Sequence, residues 1–171
     1  MWQRAFMAIW LLAAPSAGIA ATCELTFSFE VTQGVGMIEP GTELLGRAEF
    51  TTGESIRQEG GVMAHLATGE MTIADNITGP VWTLITTSRD FTADLVGIYA
   101  REVTGFSFAG VEFGGPMVIT LYGRPGTMAE AVPPQSQAEW DALTLRRVVT
   151  LHAHGRDMLA GDITELLADC S

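Results

Sequence analysis

The sequence predicts an all-β fold: a single antiparallel β-sandwich or β-barrel-like domain over 21–171, with at most one short helix, after an N-terminal secretory signal peptide over 1–20. Three observations predict it. Residues 23–31 alternate strictly, with Cys23, Leu25, Phe27, Phe29 and Val31 apolar and Glu24, Thr26, Ser28 and Glu30 polar. A period of two places one set in a core and the other in solvent. Short β-branched and aromatic runs then recur between Gly- and Pro-rich breaks, the rhythm of a sandwich or barrel. Helix signals are scarce.

Taken in order, turn chemistry at Gly34, Gly36, Pro40 and Gly41 ends the first strand. A second covers 45–51, with Ala48 and Phe50 inward and Arg47 and Glu49 outward. Gly60 and Gly61 mark a break, followed by short extended runs at 62–67 and 70–74. Asp75, Asn76, Gly79 and Pro80 read as another turn. Strands are expected at 81–87 and 94–104, then at 106–113 and 117–122, the last two separated by a turn at Gly114, Gly115 and Pro116. After Pro133 and Pro134, Ser136 with Glu139 three residues on forms a capping box, predicting a helix of at most two turns over 137–143. A strand over 143–153 follows, its apolar face of Leu143, Leu145, Val149, Leu151 and Ala153 interrupted by Arg147. A turn at 155–157 and extended runs at 158–160 and 162–168 complete a terminal hairpin.

The first residues have the three parts of a signal peptide: Arg4, an apolar core over 5–14, then Pro15, Ser16 and the small residues Ala17, Gly18, Ala20 and Ala21. Small side chains at Gly18 and Ala20 place cleavage after Ala20, with Ala21 as second choice. The core is half the roughly twenty residues a spanning helix needs, which argues against a retained anchor and against stable membrane insertion after cleavage. A lipoprotein reading through Cys23 is weakened by Thr22, where a lipobox takes Gly, Ala or Ser. The predicted location is periplasmic or secreted.

Cys23 and Cys170 are the only cysteines. In an oxidising compartment they would form the one intramolecular disulfide available, which requires the first and last strands to be neighbours. The alternatives are free thiols or an intermolecular bridge. The chain carries 9 basic and 20 acidic residues, a net charge of −11. No basic stripe offsets that charge, so no nucleic-acid partner is expected. The basic residues are all Arg, and the acids are scattered.

No catalytic set is evident. His152 and His154, two apart in a strand, point the same way and could share a metal ion with His65 as a third ligand. That ion is the one cofactor the sequence admits. The plainer reading is a pair of histidines on the polar face of a strand end. Gly105, Phe106, Ser107, Phe108 and Ala109 approach a nucleophile elbow but lack its final Gly and its strand-to-helix turn. Asp157 and Asp162 lack calcium-loop spacing, and Asn76-Ile77-Thr78 matches a glycosylation sequon. Trp82, Tyr99, Tyr122 and Trp140 suit either a core or a ligand pocket. The sequence therefore points to an exported soluble β-domain, non-enzymatic, binding a protein partner or a small apolar or saccharide ligand. The alternatives are a metal-binding protein or metal-dependent enzyme using His152 and His154, and a structural envelope or assembly component associating through a sheet edge.

Overall fold

The computed structural model describes residues 21–57, 62–75, 77–88, 92–101, 103, 106–153 and 157–171. The proposed signal peptide, the break at Gly60 and Gly61, Asn76 and His154 lie outside the described residues. The elements are β1 (Thr22–Gln33), β2 (Glu43–Arg57), β3 (Met63–Ile73), β4 (Ile77–Ser88), β5 (Asp94–Ala100), β6 (Phe106–Phe108), β7 (Val111–Gly123), α1 (Gln137–Asp141), β8 (Arg146–Ala153) and β9 (Met158–Cys170).

All nine strands join one antiparallel sheet in the order β5-β4-β3-β2-β1-β9-β8-β7-β6, and β5 also pairs with β7. β5 lies along residues 117–123 of β7 and β6 along residues 111–113, both on the edge opposite β8. Hydrogen bonding therefore runs round a closed circuit of eight strand positions, with β5 and β6 sharing one of them beside β7 and with β1 and β9 meeting at the seam.

At that seam Cys23 stands opposite Cys170. Their sulfurs are 2.06 Å apart, a disulfide that leaves no free cysteine among the described residues. The inward set read from residues 23–31 holds, with Cys23, Leu25, Phe27, Phe29 and Val31 each 1 % exposed or less. On the polar set, however, Ser28 is buried at 7 % and shares a hydrogen bond with Thr164 Oγ1 at 2.9 Å. The inward set joins one core with Phe50 of β2, Met71 of β3, Ile98 of β5, Met117 and Ile119 of β7 and Leu151 of β8. These large residues fill the space on the sheet's inward face. Gly46 lets the Phe27 ring lie against β2, since a Cβ there would run into the ring.

Several expected boundaries are corrected. The runs at 62–67 and 70–74 are one strand, β3, which passes through Gly69 at φ 157°. Gly79 and Pro80 are not a turn but lie in β4. Pro80 is tolerated because the ladder to β5 begins only at Val81, beyond it. The turn placed at Gly114, Gly115 and Pro116 is likewise strand, within β7. The reversal falls instead at Ala109 and Gly110, whose φ values of 49° and 77° match a tight hairpin. The strand expected over 94–104 ends at Ala100, and the terminal runs merge into β9. β8 begins at Arg146, so Leu143 and Leu145 belong to the preceding connection. The helix is five residues long.

The two ends of the circuit are closed differently. One end receives only short connections: the β1–β2 turn, the β3–β4 and β8–β9 reversals, and the β6–β7 hairpin. The other receives the chain from Arg124 to Leu145, which includes α1 and is here called the plug.

Candidate functional site

The plug is held by side chains that break the apolar pattern of the inward faces. In β5, Asp94 precedes Val96, Ile98 and Ala100 in the same inward phase and is 0 % exposed. Its Oδ2 accepts a hydrogen bond from the Met128 backbone N–H at 2.8 Å. In β8, Arg147 interrupts the inward row. Its Nε donates to the Leu143 carbonyl at 2.7 Å, and its Nη2 donates to the Trp140 and Asp141 carbonyls, each at 3.1 Å. These include carbonyls that the end of a helix leaves without partners. The N-terminus of α1 is closed by the capping box: Ser136 Oγ accepts from the Glu139 N–H, and Glu139 Oε2 accepts from the Ser136 and Gln135 N–H groups.

The β8–β9 ladder extends only to the Val148–Asp162 pair on this side, so residues 163–168 of β9 have no β8 partner. Gln137 covers that edge. Its Nε2 donates to the Leu166 carbonyl at 3.0 Å, and its Oε1 accepts from the Ala168 N–H at 2.6 Å. Trp140, Leu143 and Met128 bring apolar bulk into the mouth, and Trp140 is fully buried.

His65 of β3 donates from Nε2 to the Ala131 carbonyl of the plug at 3.0 Å. That bond fixes the neutral tautomer with Nδ1 as acceptor. Burial lowers the His65 pKa below its ordinary value and outweighs the opposing influence of the Ala131 bond. A register shift in β2 between Thr52 and Ser55 turns Ser55 directly opposite His65. There the plug leans over β2 and β3, leaving an open cleft of about 260 Å³ lined by Thr52, Gly53, Ser55, His65, Glu130, Val132, Pro133 and Gln135. A second hollow of about 310 Å³ shares Glu130 and residues 132, 133 and 135 and continues to Thr127 and Glu139. Val132 is exposed at the cleft, and Ile56 and Leu66 are exposed on the adjoining ends of β2 and β3. Ser55 and His65 share the cleft, but no hydrogen bond joins them.

The histidines do not converge. His65 is at the plug end, and half-buried His152 is opposite Met158 near the other end. Among the described residues no group of three His, Cys, Asp or Glu side chains could hold a metal ion. The three aromatics with described side chains do not share a pocket either. Trp140 is inside, Tyr99 and Tyr122 are half-buried on the outward phase of β5 and β7, and the Trp82 side chain lies outside the description. Burial and the nearby Tyr122 raise the Tyr99 pKa. Ser107 faces solvent in a strand that turns into β7, so the elbow-like run forms no strand-to-helix turn.

Strand register also orders acids that look scattered in sequence. Asp169, Glu24, Glu49 and Glu70 stand side by side across β9, β1, β2 and β3. Arg47 meets Glu24 at 2.9 Å and Glu49 at 3.3 Å. All are exposed, so these ion pairs contribute little to stability.

Sequence reasoning missed the plug, Asp94 and Glu130. The polar residues that interrupt inward phases, Asp94 and Arg147, were its available signal. No helix among the described residues is long and apolar enough to cross a membrane. No family model, curated protein or solved structure matches the chain.

Proposed function

We propose that the chain is an exported, non-enzymatic binding module that receives a basic segment of a protein partner at the plug end. The observation that carries this reading is the cleft between the plug and the β2–β3 ends. It places Glu130 and the His65 imidazole beside Pro133 and the exposed Val132. Polar groups beside apolar ones in an open cleft suit recognition of a peptide. The net charge of −11 favours a cationic one. The Cys23–Cys170 bond supports folding in an oxidising compartment, because such bonds are rare in the cytosol.

The closed circuit is read as a small barrel. Its interior holds Phe27, Phe29, Phe50, Phe113 and Trp140, which favours an external partner over an apolar ligand within. Assembly by strand addition has less support, because the β9 edge at 163–168 is covered by Gln137.

Titration of the protein with short Arg- and Lys-containing peptides, followed by NMR amide shifts, tests the proposal. Shifts should centre on Ser55, His65 and residues 130–135, weaken with added salt, and be lost in Glu130→Lys. Peptide shifts centred elsewhere, or none, would refute it.

A further inference from the structure

Among the described residues, three polar atoms at the plug end are buried without a protein hydrogen-bond partner: Thr87 Oγ1, Asp94 Oδ1 and Trp140 Nε1. Each belongs to a residue that is 0 % exposed. Thr87 is opposite Val96, and Asp94 lies two residues before Val96 on the same inward phase of β5. Thr87 and Asp94 are therefore diagonal neighbours on one inner face, separated by roughly 7 Å between Cα atoms and within reach of a bridging molecule. Trp140 enters the same mouth on α1, which packs beside β9.

The chemistry of the three atoms is specific. The Trp140 indole N–H only donates, the free Asp94 oxygen accepts, and the Thr87 hydroxyl can do either. An anion would meet the Asp94 carboxylate. A cation would meet the indole donor and lack further acidic ligands. A small neutral group that both accepts and donates satisfies all three. Buried polar atoms are almost always satisfied, because leaving them unpaired forfeits the hydrogen bonds they had in water.

We propose that the plug seals an internal water site, in which one or more ordered water molecules accept from Trp140 Nε1–H, donate to Asp94 Oδ1 and bond the Thr87 hydroxyl. The site is separate from the open cleft. It ties α1 to β4 and β5 on the far side of the mouth, a connection that no direct side-chain bond supplies among the described residues.

Two readings of the intact protein test this. In the first, NMR cross-relaxation should show a long-lived water signal at the Trp140 indole N–H. In the second, Thr87→Val preserves shape and removes the hydroxyl. If the hydroxyl holds water, the variant should melt about 2–4 °C lower than the parent. If the hydroxyl has no partner, removing it relieves an unsatisfied group and the melting temperature is unchanged or higher. Absence of the water signal at Trp140, or a Thr87→Val variant as stable as the parent or more so, would overturn the proposal.

Discussion

The two ends of the closed sheet solve the same problem by opposite means. At the hairpin end, the β1–β2 turn folds over the core. Val35 and Ile38 exchange backbone hydrogen bonds of 3.1 and 3.0 Å, and Ile38 is 4 % exposed. Gly36, at φ 60°, fits against Val111 where a side chain would collide. At the plug end, a long irregular segment fills the mouth and is held mainly by polar side chains reaching its backbone: Asp94 to Met128, His65 to Ala131, Arg147 to three carbonyls and Gln137 to β9. Among the described residues, the hairpin end is closed by turn backbone and apolar contacts. The plug end combines closure with clefts, buried polar atoms and a neutral histidine, so that is where binding is expected.

The largest expected effect is at the seam, whose disulfide lies on the plug side. The bond joins residues 147 apart in sequence. Its removal in Cys170→Ser should cost about 5 kcal/mol by the chain-entropy model. Under oxidising conditions the melting temperature should fall by about 10–20 °C, and the difference should largely vanish under a reductant. Equal melting when both proteins are oxidised would remove the clasp from the account.

Next in size is Trp140→Ala, which empties the centre of the plug and should cost about 3–5 kcal/mol in denaturant unfolding. Arg147→Met should cost about 1–3 kcal/mol, because three plug carbonyls lose their donor. Its effect should appear as faster amide exchange in residues 136–145 with the β1–β2 ladder unchanged. At the opposite end, Gly36→Ala imposes a left-handed backbone on a side chain that also meets Val111. A loss of about 1–2 kcal/mol is expected, with no change in plug exchange.

The smallest effect is the pH dependence of the His65 contact. Burial holds the folded pKa below 6.5, so the unfolded chain binds more protons just beneath that pH. The His65 contribution to stability is therefore complete above about 6.5, declines as the pH falls through that value, and levels below the folded pKa. His65→Gln should flatten this part of the pH–stability curve. An unchanged slope between the parent and the variant would separate His65 from the plug.

Much of the sheet was legible in the sequence because alternation is a local property. Residues 23–31 carried the inward phase of β1, and the one possible disulfide, Cys23 with Cys170, implied that the first and last strands meet. Ser136 and Glu139 likewise announced the start of α1. The errors came from treating Gly and Pro as turns. Gly69, Gly79, Pro80 and the run 114–116 lie inside long strands, because a closed sheet needs close approach and places where a ladder lapses. The plug was hidden for another reason. Its hold depends on partners distant in sequence, 66 residues apart for His65 and Ala131 and 34 for Asp94 and Met128. Arg147 was visible only as an interruption of an apolar row, and its partners emerge only once the chain is folded. The carboxylate row across β9, β1, β2 and β3 is similarly a product of register.

The central claim is that the plug is a separately held element on an otherwise closed sheet. Native-state amide hydrogen exchange measured across increasing denaturant tests it most directly. Residues 127–145 should exchange through a local opening of lower free energy than the β1–β9 seam and the Val35–Ile38 turn. Exchange of all three regions in a single global transition, or earlier opening of the hairpin end, would contradict it.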